Sequence, residues 1–116
     1  MAEKRELIKN NIDSLLLSLV DTQPMYGYQI IKELAGKSQG YFKFKEGTLY
    51  PALHRLEKSG AVRGKWQTLP SGQQRKYYSI TEKGRSALEQ KLTSWNEFLT
   101  AMNLIIGTAE AQPGEG

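Results

Sequence analysis

A chain of 116 residues, 39% hydrophobic and 24% charged, has the size and balance of one ordinary globular domain and too little length for two comfortable cores. It contains no cysteine, which excludes disulfide staples, thiolate catalysis and the common zinc sites. The formal charge of +4 is unevenly spread: from Lys43 to Arg85 ten basic residues stand against three acidic ones, a balance of +7 that leaves −3 elsewhere. A basic middle of this kind suits a polyanion footprint, and equally a solvated charged face.

The charged start, Met1 to Lys9, lacks the apolar stretch and cleavage site of a signal peptide. Apolar runs such as Leu15–Leu17 are too short to span a bilayer, so no membrane partner is expected. Over residues 5–20, Leu7, Ile8, Ile12, Leu15, Leu16 and Leu19 recur at the spacing of one apolar helix face. Pro24 breaks that pattern. A second helix is predicted over Tyr26–Ser38, burying Ile30, Ile31 and Leu34, with Gly36 and Gly40 marking its end. Tyr41–Lys45 alternates aromatic and basic residues and reads as a short extended segment or strand.

From Glu46 to Ser59 the pattern is helical again, with Leu49, Leu53 and Leu56 on one face and Gly60 as the C-terminal stop. Pro51 is compatible with this helix if its missing N–H falls near the first turn, where no intrahelical acceptor is needed. Two strand-like runs follow, Ala61–Gln67 and Gln74–Ile80, around a polar Pro/Gly turn, the signal of a β-hairpin with a longer loop. Thr81 is a good N-cap for a last helix carrying Leu88, Leu92, Trp95, Phe98, Leu99, Met102, Ile105 and Ile106 as a continuous stripe. The tail, 108–116, has small and polar residues and is expected to be disordered.

Three short helices and a β-hairpin in this order predict a mainly α fold with a small β-hairpin: a winged helix-turn-helix (1–81) followed by a dimerisation helix (82–107). The third helix would enter the major groove of duplex DNA. Its polar face presents Thr48, Pro51, His54, Arg55 and Lys58, led in by Lys43 and Lys45. Thr48 and His54 could reach base edges; Lys45, Arg55 and Lys58 suit phosphates. Arg55 could instead pair with Glu57 or Glu46, and Lys58 could simply favour the helix dipole. At the hairpin, Gln73, Gln74, Arg75 and Lys76 suit phosphate or minor-groove contact, or a solubilising turn. One of Tyr77 and Tyr78 should face the core and the other solvent. Tyr26 and Tyr50 are further phosphate candidates, and Gln29 joins the same candidate set.

His54 is the single histidine and has no cysteine or carboxylate cluster around it in sequence, so neither a metal nor a general base is expected. No phosphate-cradling glycine loop or nucleophile–base pair is present, so neither an enzyme nor a cofactor is expected. The alternative to a DNA reader is a winged-helix protein-interaction module. A dimer is expected because nothing after the last helix could cover so wide an apolar stripe.

Three blocks make the chain recognisable: Met25-Tyr26-Gly27-Tyr28-Gln29-Ile30; Gly47 to Gly60, Gly-Thr-Leu-Tyr-Pro-Ala-Leu-His-Arg-Leu-Glu-Lys-Ser-Gly; and Arg75 to Gly84, Arg-Lys-Tyr-Tyr-Ser-Ile-Thr-Glu-Lys-Gly. In this order and spacing the chain resembles the PadR family over about residues 7–105. The resemblance implies a bacterial or archaeal cytoplasmic transcription regulator, most often a repressor, binding DNA as a homodimer. It implies a dimer interface built from Leu7, Ile8 and Ile12 of the first helix with Leu88, Leu92, Trp95, Phe98, Leu99, Met102 and Ile106 of the last. The single C-terminal helix is similar to the short subfamily, some of whose members stack flat aromatic drugs between paired tryptophans. Trp95 stands at the corresponding place, as a ligand platform or as dimer packing.

Overall fold

The computed structural model describes residues 2–107; the expectation of a disordered tail over 108–116 lies outside them. The elements run α1 (Ala2–Thr22), β1 (Met25–Tyr26), α2 (Gly27–Lys37), α3 (Glu46–Lys58), β2 (Val62–Thr68), β3 (Gln74–Ile80) and α4 (Glu82–Ile106).

The apolar spacing of α1 buries Ile12, Leu16, Leu17, Leu19 and Val20, and its last turn closes where the Thr22 hydroxyl donates to the Leu19 carbonyl at 2.7 Å. Leu16, Ile30, Leu49 and Leu53 are wholly enclosed, which ties α1, α2 and α3 into one core. Full burial of such a side chain contributes about 1.5–3 kcal/mol. No charged side chain is buried among the described residues, so every ionic group works at the surface.

The helix ends follow local chemistry. After α3, Gly60 takes φ +87°, its N–H reaches the Glu57 carbonyl at 3.0 Å, and the Ala61 N–H reaches Leu56 at 2.9 Å. These paired bonds satisfy carbonyls the helix leaves open. The end of α2 differs from expectation at one of its two glycines: Gly36 lies inside the helix, while Gly40 marks the end at φ 85°, following Gln39 at φ 54°, with the Gly40 N–H bonded to Ala35 at 2.7 Å. Pro51 is also placed differently. It is the sixth residue of α3, beyond the first turn, so a hydrogen bond to Gly47 is forfeited inside the helix.

The hairpin is one strand richer than the sequence suggests. The sheet is antiparallel in the order β1-β3-β2, with Met25 opposite Tyr78, Tyr26 opposite Tyr77, and β2 paired to β3 from Val62↔Ile80 to Thr68↔Gln74. Met25, Val62 and Tyr78 turn to the core, while Tyr77 stays half-buried on the outer face. Tyr41–Lys45 forms no strand. Phe44 is buried and Phe42 half-buried, their rings 6.2 Å apart, so aromatic packing rather than strand pairing holds this segment.

Thr81 caps α4 by accepting the Gly84 N–H at 3.0 Å. Only Gly84 and Leu88 of this helix are buried. Leu92 and Trp95 still face α1, and beyond them the helix projects from the body, giving extents of 63 × 29 × 28 Å.

Candidate nucleic-acid interface

On α3 the buried set Leu49, Ala52, Leu53 and Leu56 fixes the rotation of the helix. Gly47, Pro51, His54 and Lys58 then form the outermost exposed stripe, at spacings of 4, 3 and 4. Tyr50 and Glu57 flank it on the hairpin side. Thr48 and Arg55 flank it on the α1 side, bordering a cleft of about 680 Å³ with Lys43, Arg5 and Lys9. Lys45 is exposed at the N-cap position of α3.

Arg55 pairs with neither Glu46 nor Glu57. Its Nη2 donates to Asp13 Oδ1 of α1 at 3.1 Å, with both side chains about half exposed. An ion pair so open to water contributes little and leaves the guanidinium free to exchange partners.

The hairpin presents two unlike faces. Outward lie Arg63, Lys65, Gln67, Arg75 and Tyr77, joined by Tyr26 from β1. Tyr26 meets the Tyr77 ring edge-on at 5.4 Å, and the Arg75 guanidinium lies 4.3 Å over the Tyr26 ring. This stack holds the arginine without neutralising it. Inward, toward α3, lie Gly64, Trp66, Lys76 and Gln74. Lys76 is held: its Nζ donates to Glu57 Oε1 at 2.8 Å, and that hydrogen bond, more than any other influence, raises its pKa. The tip carries Gln73 and Gln74, both exposed, around Gly72 at φ 92°.

Where α2 begins, the Tyr50 hydroxyl sits against Gly27, leaving no room for a Cβ there. Burial, and secondarily the Glu46 carboxylate, pushes the Tyr50 pKa upward. Tyr26, Tyr28, Tyr50, Trp66 and Arg75 together line a cleft of about 710 Å³ between α2, α3 and the hairpin. Gln29, half-buried, looks instead onto a shallow pocket with Tyr28, Lys32 and Tyr77. Trp66, Tyr28, Arg63 and Lys65 are absent from the expected set. Their signal was available for the β2 residues, because Trp66 directly opposes Lys76 once the hairpin register is drawn.

A second feature lies between α1 and α4. Leu7, Ile8, Leu15, Tyr41, Phe42, Leu92 and Trp95 line an apolar crevice of about 360 Å³. Trp95, Phe98, Met102 and Ile106 are exposed, Leu99 is partly so, and Ile105 reaches 87%. Ile12 and Leu88, expected in an interface between chains, are enclosed in the chain's own core.

The Transcriptional regulator PadR-like family matches residues 16–90. The chain belongs to that family. Among solved structures, this PadR-like chain is similar to a transcriptional regulator from Clostridium thermocellum, at 33% identity and a TM-score of 0.77, over 84% of this chain and 95% of that one. It is similar to a PadR-like transcription factor from Bacteroides fragilis, at 31% identity and a TM-score of 0.76, over 90% and 99%. At 21% identity it shares its fold with Bacillus subtilis PadR in complex with operator DNA, with a TM-score of 0.65 over 70% of this chain and 46% of that one. The family comprises transcription regulators, not enzymes. Among the described residues no group of three or more His, Asp or Glu could hold a metal, and no helix is long and apolar enough to cross a membrane.

Proposed function

We propose that this PadR-like chain is a sequence-specific DNA-binding repressor that acts in the cytoplasm as a homodimer on an inverted-repeat operator. The observation that carries the reading is the unobstructed stripe Gly47-Pro51-His54-Lys58 on α3, flanked by the cations of the hairpin. A helix so exposed can enter a major groove, with Thr48 and His54 at base edges and Lys43, Lys45, Arg55, Lys58 and Arg75 at phosphates. The operator complex of Bacillus subtilis PadR, a protein of the same fold, supports DNA binding by this fold.

Residues 1–81 act as the DNA-reading unit and 82–107 as the dimerisation helix. The exposed apolar stripe of α4, Trp95, Phe98, Met102 and Ile106, supports burial against a second copy in a two-fold pairing, since monomers rarely leave such contiguous apolar surface in water. Leu7 and Ile8 extend that interface from α1. A flat aromatic molecule stacked on Trp95 in the α1–α4 crevice would release the operator by changing how the two copies sit.

The test is in vitro selection from a random duplex pool at physiological salt. Enrichment of an inverted repeat, with half-sites about 34–36 Å apart, is the expected result. Retention without an enriched site reduces the reading to non-specific binding. Absence of retention assigns the fold to protein interaction instead. Quenching of Trp95 fluorescence by planar aromatics, with loss of selected DNA, tests the effector.

A further inference from the structure

An acid on the hairpin side of a DNA-reading helix repels phosphate, so Glu57 calls for a reason to be there. Its carboxylate is two-thirds covered and receives Lys76 Nζ at 2.8 Å, and that ammonium is covered to a similar degree. The lysine comes from the middle of the hairpin, at the position paired with Trp66, and its Nζ lies 5.9 Å from the Trp66 ring and 5.5 Å from Tyr78. Gly64 leaves the room that this pair occupies. A Cβ on Gly64 would collide with Lys76 Cε and stand 2.9 Å from Glu57 Oε2. Glycine in mid-strand weakens a sheet, so its presence marks a close approach.

We propose that Glu57 is a positioning residue for DNA reading: seated with Lys76 in the Gly64 notch, it latches the wing to the recognition helix and fixes the angle between them. Lys76 then contributes orientation and not a phosphate contact, because its charge is consumed within the protein. The wing's attraction for DNA rests on Arg75, Arg63 and Lys65, which find no carboxylate within ion-pair distance among the described residues. A latched wing spans the groove beside α3 at one set distance, which favours a specific site over random duplex. A loose wing would let α3 and the tip engage independently, and discrimination would fall while overall attraction rose.

The DNA arm of the test rests on the repressor reading above, so a DNA-free readout is paired with it. In a Trp95→Phe background Trp66 is the sole tryptophan of the chain. Glu57→Gln should lower Trp66 fluorescence anisotropy and raise its quenching by acrylamide. It should cut the affinity ratio between the selected operator and a scrambled duplex about tenfold. It should also steepen the salt dependence by roughly 0.9 log units per decade, one phosphate's worth, as Lys76 is released.

Gly64→Ala, which keeps both charges but fills the notch, should loosen Trp66 and lower the ratio in the same way. The exchanged pair, Glu57→Lys with Lys76→Glu, should restore both. Circular dichroism and Tm separate these effects from unfolding. Unchanged Trp66 mobility and an unchanged affinity ratio in folded Glu57→Gln would overturn the latch. A Trp66 response in a protein that retains no DNA supports the latch and overturns only the repressor reading.

Discussion

Gly84→Ala and Gly36→Ala place the same methyl on two helical glycines and should move stability in opposite directions. In an unobstructed helix interior the change gains about 0.5–1 kcal/mol, because alanine loses less backbone entropy on folding. Gly36 in α2 meets that condition, with no atom within 4 Å of the added Cβ. Gly84 does not. Its Cβ would overlap the Ala61 carbonyl oxygen, stand 2.9 Å from that carbonyl carbon and 3.0 Å from Ile80 Cγ1. Two of the three obstacles are backbone and cannot rotate aside, so α4 must draw back from the hairpin.

That displacement reaches the α4 cap, where Thr81 Oγ1 donates to Gly60 at 2.6 Å and accepts from Gly84. Overpacking of this kind costs about 3 kcal/mol. Weakening the cap costs about 1 more. Against them stands a propensity gain of about 1 kcal/mol. The net loss for Gly84→Ala is therefore about 3 kcal/mol, a fall in Tm on the order of 10–20 °C for a chain of this size. Gly36→Ala should raise Tm by a few degrees. Differential scanning calorimetry at one fixed protein concentration measures both, since association makes Tm concentration-dependent. A Gly84→Ala variant as stable as the parent would refute the close-packed account of the α4–hairpin junction.

If the proposed pairing holds the copies together, Met102→Glu should give monomers in light scattering, whereas Leu104→Glu should leave the proposed dimer intact; a parent chain that is itself monomeric would contradict the pairing. Leu104, 79% exposed, lies away from the stripe formed by Trp95, Leu99, Met102 and Ile106. Arg75→Ala should lower the salt slope of DNA binding by roughly 0.9, while Lys76→Ala should leave the slope unchanged. Stability should fall as pH climbs past about 10, the region where free tyrosine and lysine side chains ionise. Tyr50 and Tyr78, raised chiefly by burial, and Lys76, raised chiefly by its bond to Glu57, all hold their protons more tightly when folded. Above the ordinary values of 10.0 and 10.5 the folded state binds more protons than the unfolded one, so added base favours unfolding; below them the three groups contribute no slope. Chemical denaturation at pH 8, 10 and 11 measures this, and a midpoint unchanged across the series would contradict it.

Elements with a sustained period were readable from the residues alone. The leucine spacing of α3, the Thr81 cap and the Gly60 stop all lie within a few residues of what they control, so local chemistry suffices to place them. The two-residue strand β1 has no period to display; it exists because Met25 and Tyr26 lie beside β3 once α1 and α2 have packed. Tyr41–Lys45 has the alternation of a strand without a neighbour to pair with, and its phenylalanines serve the core instead.

The ion pairs mark the same boundary within the candidate site. Glu46 and Glu57 are the acids near Arg55 in sequence, yet its partner is Asp13, 42 residues away on α1. Lys76, grouped with Arg75 because the two are adjacent, points to the other face of β3 and reaches 19 residues back to Glu57. Residue type told which side chains could meet a polyanion; which of them are free to do so depends on strand register and helix docking. The same holds for α4. Its stripe was legible as one surface, but only the packed structure divides it, drawing Leu88 into the chain's own core and leaving Trp95 through Ile106 outside. The division falls about where α4 leaves the body: Trp95 still borders the α1 crevice, whereas Phe98, Met102, Ile105 and Ile106 beyond it stand exposed, the surface on which the proposed pairing rests.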